Sequence, residues 1–212
     1  FYLVSGSDLD KMKEQVPKHI LYQTQGLFTC GGNQFYDMNK YCKLEYEHKF
    51  KPSKRLIDYL ELELKYSPYK IRTSNHIENR GSMVNFSIIG RDCTLKQRKN
   101  YFKYDNEKNE RKRITGVIKR QFPELDAVIG GQISIDIAPK GRDKSQVINK
   151  VKEYQPNREY IFIGDRTKKG GNDYPLAKVM DEMEDCEWYQ AGEPSAEDGY
   201  KSTQKILEEL ND

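Results

Sequence analysis

The hydrophobic and polar positions of the N-terminal region predict a strand, a helix and then a group of short strands. Phe1–Val4 is an apolar run typical of a buried strand, and Ser7 in the following turn is the predicted N-cap of a helix. The apolar residues of that helix fall on one face: Leu9, Met12 and Val16. Between Gly26 and about Tyr46 the pattern predicts short strands separated by turns.

The middle of the chain, residues 51–139, alternates between helical and extended patterns. Ser53 is the predicted N-cap of the first helix, and Pro123 ends the second. The two strands, in "SMVNFSIIGR" and "GGQISIDIAPKG", alternate apolar with polar residues. We therefore expect each strand to have one buried face and one open face.

The C-terminal part returns to a strand–helix pattern. A helix in "DKSQVINKVKEY" precedes "REYIFIGD", a continuous apolar strand typical of a parallel sheet buried on both faces, and a helix near Leu207 closes the chain. Strand–helix units at both ends, with an α+β segment between them, predict an α/β fold with a doubly wound core and an inserted cap. The expected boundaries are residues 1–45 and 141–212 for the core and residues 46–140 for the cap.

Composition narrows the classes of protein that fit this pattern. Of the 212 residues, 36% are hydrophobic and 33% charged, which suits a globular domain with a modest core. The net charge of +3 gives no support for a nucleic-acid partner, and no apolar run approaches the ~20 residues that cross a membrane. The mixed-charge stretch "KYDNEKNERKR" is interpreted as a solvated helix face.

The cysteines indicate the compartment. Cys30, Cys42, Cys93 and Cys186 lie far apart and form no CxxC pair. Two disulfides are the alternative, but a chain of this length with no secretory pattern favours reduced thiols. We therefore expect a cytoplasmic protein that binds neither nucleic acid nor membrane.

Two predicted strand ends carry candidate chemistry, because open parallel sheets bind ligands beyond the carboxyl ends of their strands. Ser5 and the turn amides after the first strand suit an anion such as phosphate, although a Ser-Gly-Ser turn is also a common helix cap. In "IFIGDRTKKGGND", Asp165 ends a strand, and Asn172 and Asp173 return beside it. This pattern favours a Mg²⁺ site, and the alternative is an acidic turn.

Several cationic and polar residues are further candidates. Lys144 falls in the predicted first turn of its helix, where a cation is unfavourable unless an anion faces it, so it is either a phosphate partner or an exposed lysine. Three arginines are placed to form bidentate phosphate contacts: Arg80, Arg91 and Arg98. Ser134 and Asp136 share one strand face that could bind sugar hydroxyls. By spacing alone, each arginine is more often solvated than functional.

Three motifs taken together, "GSMVNFSIIGR", "GGQISIDIAPKGRDK" and "IFIGDRTKKGGND", resemble the eukaryotic-type phosphomannomutases of the haloacid dehalogenase (HAD) superfamily. The resemblance covers nearly all of the chain. It implies a HAD-like, Rossmann-like core with a cap of antiparallel sheet and helices. It also implies a Mg²⁺-dependent enzyme that interconverts mannose 6-phosphate and mannose 1-phosphate, with hexose 1,6-bisphosphate as activator and intermediate, and a possible homodimer formed through the cap.

The implied mechanism assigns a role to each candidate residue. An aspartate of a DxDGT motif takes the phosphoryl group, and Mg²⁺ and a lysine neutralise its charge. In this sequence the resemblance implies that Ser5 and Lys144 bind the transferred phosphoryl group and that Asp165 binds Mg²⁺. The other implied roles are those of Asn172 and Asp173 around the metal, Arg80, Arg91 and Arg98 on the distal phosphate, and Ser134 and Asp136 on the sugar.

The sequence departs from the family pattern at the nucleophile. No DxDGT motif occurs in the 212 residues, and we expect it upstream of Phe1, so that this chain assayed alone is inactive. "ENRGSM" also stands where the family usually has a Phe before the Arg, which affects the expected sugar specificity more than the fold. Two alternatives stay open: a HAD-type sugar-phosphate phosphatase, and a non-catalytic or split fragment that binds sugar phosphate or a partner chain.

Overall fold

The computed structural model describes residues 1–192 and 199–210, and the chain divides into two compact units, Phe1–Arg142 and Asp143–Asp212. Each unit is described by itself. No helix in the described part of the chain combines the length and the hydrophobicity needed to cross a membrane.

The first unit begins with a four-stranded sheet in the order β1-β2-β3-β4. Its strands are β1 (Tyr2–Val4), β2 (Gly26–Thr29), β3 (Gln34–Asp37) and β4 (Lys43–Glu47). β1 and β2 are parallel and are joined by α1 (Leu9–Gln15) and α2 (Lys18–Gln23), whereas the other pairs are antiparallel. The first strand and the group of short strands are thus confirmed, and α2 is an addition to the predicted elements.

The N-cap of α1 is Asp8, not Ser7. The Asp8 carboxylate accepts a hydrogen bond from the backbone N–H of Lys11 at 2.9 Å, and the N–H of Ser7 donates to Ser5 Oγ at 3.0 Å. Because a carboxylate interacts with the helix dipole as well as with the free amides, Asp8 is a better cap than the neighbouring hydroxyl. The predicted apolar face is confirmed by Met12, which is buried against Leu21 and Leu27.

A second, antiparallel sheet follows in the same unit, in the order β5-β6-β8-β7. Its strands are β5 (Ile77–Asn79), β6 (Val84–Phe86), β7 (Leu125–Gly130) and β8 (Ser134–Pro139). Three helices pack against its apolar face: α3 (Lys54–Tyr66), α4 (Leu95–Lys108) and α5 (Glu110–Gln121). The fully buried side chains include Leu56, Tyr101 and Ile118 from the helices and Phe86 and Ile137 from the sheet.

The other face of this sheet is polar, but it is not open to solvent as predicted. Asn85 and Ser134 are each only 3% exposed. Asn85 Nδ2 donates to Asp136 Oδ1 at 2.6 Å, and Arg91 Nη1 donates to Ser134 Oγ at 2.8 Å. These polar groups are buried because they hydrogen-bond with one another, which removes most of the cost of leaving water.

The stretch "KYDNEKNERKR" is divided between two helices, and three of its residues are buried. Asn109 adopts a left-handed conformation with φ of 55°, which ends α4 and starts α5. Residues six apart do not face one another on an unbroken helix, but this turn brings Arg111 Nε within 2.8 Å of Asp105 Oδ2. Both side chains are buried, as is Glu110, so the prediction of a solvated face was wrong for these three residues. Residues 106–109 and 112–113 are exposed, as predicted.

The second unit contains α6 (Gln146–Tyr154), β9 (Tyr160–Gly164), α7 (Tyr174–Met180), β10 (Cys186–Gln190) and α8 (Gly199–Glu209). β9 and β10 are parallel, as expected for this strand. The predicted burial of β9 on both faces is not observed, since Ile161 of this strand is 50% exposed. Tyr160 and Phe162 alternate with Ile161 and pack against Ile148 and Leu176 of the helices, so α6 and α7 cover one face.

Candidate active site

Three predicted arginines meet at one cavity of ≈ 400 Å³ in the first unit. Arg80 lies in the turn after β5, Arg91 lies beyond β6, and Arg98 lies near the start of α4. Carboxylates also line the cavity, from Asp8, Asp10, Glu14, Glu78 and Asp92. The sheet and α4 therefore direct positive charge into a common space that contains acidic groups as well.

Arg80 is fully engaged within the protein. Its Nη2 and Nε donate to Glu78 Oε2 at 2.6 and 3.2 Å, and its Nη1 donates to the carbonyl oxygen of Gly6 at 2.6 Å. Its side chain is only 4% exposed. Arg80 therefore connects β5 to the turn that follows β1.

Arg91 and Arg98 are held less tightly. Arg91 Nη1 donates to Ser134 Oγ, and its Nε lies 3.9 Å from Glu78 Oε2. Burial, together with the positive charges of Arg80 and Arg98, lowers the pKa of Arg91 from its ordinary value. Arg98 Nε is buried and has no hydrogen-bond partner among the described residues. An added anion would be stabilised by this cluster, because both guanidinium groups have donors to offer.

The predicted sugar-binding residues, Ser134 and Asp136, lie beside the arginines. A Cβ at Gly130 would come within 2.5 Å of Asp136 Oδ2, so this position on β7 must be glycine for the carboxylate to lie where it does. Arg111 supports the same turn from behind. Its Nη1 donates to the carbonyl oxygens of Gly130, Gly131 and Ser134 at 3.1–3.3 Å.

Ser5 belongs to the same unit and directly follows β1. Its Oγ accepts the N–H of Ser7, and its backbone N–H donates to the carbonyl oxygen of Phe28 at 2.9 Å. Gly6, the next residue, accepts from Arg80. The hydroxyl hydrogen of Ser5 stays available for an acceptor such as a phosphate oxygen, since the oxygen acts only as acceptor toward Ser7.

Lys144, Asp165, Asn172 and Asp173 lie in the second unit. Lys144 precedes α6 in a turn and is not in the first turn of that helix, which begins at Gln146. The Asp143 side chain fixes this turn by accepting the N–H of Ser145 at 2.9 Å. Lys144 is buried, and its Nζ is paired with the Asp173 carboxylate. The expectation that an anion faces this lysine therefore holds, although the helix position was wrong.

Asp173 and Asp165 have opposite electrostatic environments. Burial acts to raise the pKa of Asp173, but Lys144 and the N–H of Arg166, which donates to it at 3.1 Å, hold it below its usual value. Burial and the neighbouring Asp173 carboxylate raise the pKa of Asp165. A divalent cation would favour the charged form of Asp165.

The oxygen donors here are of the type that Mg²⁺ prefers. Asn172 Oδ1 is buried without a hydrogen-bond partner among the described residues, and Asp165 ends β9 nearby in sequence. The described residues contain no group of three or more His, Cys, Asp or Glu side chains that could hold a metal ion. This sparse set suits Mg²⁺, which keeps several waters and is commonly bound through one or two carboxylates plus substrate phosphates.

Comparison with known proteins decides the family. The sequence model of the eukaryotic phosphomannomutase family matches residues 1–207. The chain belongs to this family.

Its relatives support the same assignment. It is 33% identical over 215 residues to the phosphomannomutase of Encephalitozoon cuniculi, which covers 98% of this chain and 80% of that protein. It is 33% identical over 179 residues to the phosphomannomutase of Oryza sativa subsp. indica, covering 82% of this chain and 71% of that protein. The phosphomannomutase resemblance seen in the sequence is confirmed.

Solved structures establish the fold. The HAD-superfamily subclass IIB sugar phosphatase BT4131 aligns with a TM-score of 0.54 and 11% identity, over 98% of this chain and 85% of that one. The sucrose-phosphatase of Synechocystis sp. PCC6803 aligns with a TM-score of 0.51 and 11% identity, over 100% of this chain and 85% of that one. At such low identity the likeness concerns architecture alone, and it confirms the HAD-like α/β fold.

Sequence reasoning missed three residues that organise this phosphomannomutase-family site: Glu78, Asn85 and Arg111. Glu78 and Asn85 face each other across β5 and β6, and Asn85 faces Asp136 across β6 and β8. The polar positions of the alternating strand pattern could have indicated Asn85, since it shares the strand-face periodicity of Ser134 and Asp136. No local signal marks Arg111, because its role depends on the helix break at Asn109.

Proposed function

We propose that this protein acts as a phosphomannomutase that interconverts mannose 6-phosphate and mannose 1-phosphate. The observation that carries the proposal is the convergence of Arg80, Arg91 and Arg98 on one cavity, in a chain that belongs to the phosphomannomutase family. A mutase has to hold one phosphate while it transfers the other, and an arginine cluster would bind the phosphate that is not being transferred. Ser134 and Asp136 beside the cluster would bind the sugar hydroxyls.

The second unit would bind the phosphoryl group that is transferred. Lys144 Nζ, oriented by Asp173, would neutralise its charge. In the first unit, the Ser5 hydroxyl would donate to a phosphate oxygen. Asp165 and Asn172 Oδ1 would hold Mg²⁺, which supplies positive charge opposite the transferred group when bound. Desolvation and the negative charge of Asp173 oppose ionisation of Asp165, and a bound cation would offset both.

The nucleophile has no candidate within the 212 residues, since they contain no DxDGT motif. We place the aspartate that forms the aspartyl-phosphate outside this sequence. The hexose 1,6-bisphosphate formed from it would then reorient, so that the arginine cluster exchanges one phosphate for the other.

We also propose the predicted division into a core, residues 1–45 and 141–212, and a cap, residues 46–140. The two sheets of the first unit support it, because β1–β4 and β5–β8 share no strand. β4 runs through the proposed boundary, ending at Glu47. A homodimer formed through the cap and a cytoplasmic location belong to the same proposal.

The deciding experiment uses a protein that carries the DxDGT segment ahead of this sequence. Mannose 1-phosphate, Mg²⁺ and a catalytic amount of hexose 1,6-bisphosphate are followed by phosphorus NMR. Formation of mannose 6-phosphate is expected, and glucose 1-phosphate in parallel measures the sugar preference. Release of inorganic phosphate without mannose 6-phosphate would mean that water reaches the phospho-enzyme, and the protein would be a sugar-phosphate phosphatase.

A further inference from the structure

Glu78 occupies the centre of the arginine cluster. It is the middle residue of β5, where it pairs across the sheet with Asn85. Its Oε2 accepts two hydrogen bonds from Arg80 and lies 3.9 Å from Arg91 Nε. A single carboxylate oxygen is thus shared between two guanidinium groups.

Three other carboxylates of the cavity have partners of their own. Glu14 pairs with Lys11 at 2.8 Å. Asp92 accepts from Asn75 Nδ2 at 2.9 Å and from the hydroxyl of Ser74. Asp8 caps α1 and lies 3.9 Å from Arg80 Nε, so it reaches Arg80 alone. Among the described residues, Glu78 is therefore the carboxylate that lies within ion-pair distance of both Arg80 and Arg91.

Buried guanidinium groups need a counter-charge whenever no ligand is bound. Arg80 is 4% exposed and Arg91 is 17% exposed at the side chain, so water alone does not solvate them. A phosphate carries more negative charge than a carboxylate and has three oxygens for Arg contacts. Arg91, held by Glu78 at 3.9 Å, is the guanidinium that a phosphate would draw away most readily.

We infer that Glu78 is a positioning residue that stands in for the distal phosphate: it holds Arg80 and Arg91 in place while the cavity is empty and competes with the phosphate for Arg91. This inference deepens the proposed function and rests on it. Competition from Glu78 weakens phosphate binding, which allows the bisphosphate to leave the cluster and reorient. Glu78 thus sets the affinity of the cluster without itself contacting the sugar.

The test compares this chain with its Glu78→Gln variant, using inorganic phosphate as the probe at constant ionic strength. In chloride buffer the variant is expected to melt at a lower temperature than the unaltered chain, because two guanidinium groups lose their counter-charge. Phosphate should raise its melting temperature by about twice the shift of the unaltered chain. Calorimetric titration should give a phosphate affinity about tenfold higher, corresponding to ~1.4 kcal/mol.

Three further variants isolate the effect. Glu63→Gln removes a carboxylate that lies 2.5 Å from Arg113 Nη2, and neither residue lines the cavity. This variant should lower the melting temperature without enlarging the phosphate shift. In an Arg91→Gln background, Glu78→Gln should leave the phosphate affinity unchanged, since the contested partner is gone. Glu78→Asp keeps the charge on a shorter side chain and should give an intermediate phosphate shift, and it serves as the test if Glu78→Gln does not fold.

The outcomes separate this inference from the function on which it rests. Equal phosphate shifts in the unaltered chain and in the Glu78 variants would overturn the role of Glu78 alone. A reduced phosphate affinity in Glu78→Gln would overturn it too, since Glu78 would then assist the anion. Phosphate that stabilises neither protein would overturn both the role of Glu78 and the anion-binding role of the arginine cluster.

Discussion

The ion pair between Asp105 and Arg111 gives the sharpest prediction about stability. The side chains are 6% and 2% exposed, and Arg111 Nε donates to Asp105 Oδ2 at 2.8 Å. Asp105 Oδ1 also accepts the backbone N–H of Arg111 at 2.8 Å, and Arg111 Nη1 reaches three carbonyl oxygens of the β7–β8 turn. Removal of either partner leaves an uncompensated buried charge.

We expect Asp105→Ala to lower the free energy of unfolding by about 3–5 kcal/mol, the usual cost of breaking a buried pair. Arg111→Met should cost a similar amount, because it leaves both the carboxylate and the turn carbonyls without their donor. The double variant Asp105→Ala/Arg111→Met should cost clearly less than the sum of the two, since it buries no lone charge. Equilibrium unfolding in urea, monitored by circular dichroism, measures all three free energies.

The pair between Lys54 and Asp58 is the matched control, because its side chains are 89% and 51% exposed. Asp58→Ala should cost about 1 kcal/mol or less, as surface pairs do. If Asp105→Ala cost no more than this control, or if the double variant equalled the sum of the single ones, the buried pair would not stabilise the β7–β8 turn as the contacts suggest.

Four further predictions follow from the site. Arg98→Ala should weaken binding of mannose 1-phosphate, measured by calorimetry, by on the order of 1–3 kcal/mol, because its buried Nε is free for a charged contact; an unchanged affinity would remove Arg98 from the site. Gly130→Ala should reduce the free energy of sugar-phosphate binding, measured by calorimetry, by more than it reduces the free energy of unfolding, because the added Cβ displaces the Asp136 carboxylate. Burial raises the pKa of the Cys30 thiol from 9.0 to about 12. As pH rises above 9, the unfolded chain therefore loses this proton before the folded one, and the free energy of unfolding should fall by up to ~1.4 kcal/mol per pH unit. Cys30→Ala should remove that part of the slope, and identical pH profiles of unfolding for the variant and the unaltered chain would contradict the prediction. The 212-residue chain assayed alone should give no mutase turnover, and measurable conversion of mannose 1-phosphate would place the nucleophile within this sequence.

The fold could be predicted well where periodicity carries the signal. The isoleucines of β8 alternate with Ser134 and Asp136, and both the strand and its apolar face occur in the structure. Ser53 caps α3 by accepting the N–H of Leu56 at 3.2 Å, as its type and position indicate. Such features are local, because a few neighbouring residues fix the backbone and the buried face.

Non-local contacts could not be predicted in the same way. The charges of Asp105 and Arg111 look like those of any solvated helix, and only the left-handed Asn109 between them turns the two side chains inward. The polar face of β8 appeared open for a similar reason, since Arg91 comes from another segment to cover Ser134. A single sequence gives the residue types of these partners but does not show which of them are in contact in the folded protein.

Net charge is a poor guide to this site for a physical reason. A cation that binds phosphate for only part of the time still has to be stabilised when the phosphate is absent, because an unpaired buried charge is costly. Lys144 is paired with Asp173 in the second unit, and Arg80 and Arg91 are paired with Glu78 in the first.

Lys144, Arg80 and Arg91 are therefore balanced by carboxylates inside the protein, and the overall charge of +3 does not reveal either group of cations. The same pairing has a functional consequence. A phosphate that binds Lys144, Arg80 or Arg91 has to displace or share the carboxylate that is already paired with that cation. Its affinity therefore reflects the difference in free energy between the cation–phosphate pair and the cation–carboxylate pair. A mutase that passes a bisphosphate between two orientations needs that smaller difference, because a cluster without an internal anion would hold the intermediate too tightly to release it.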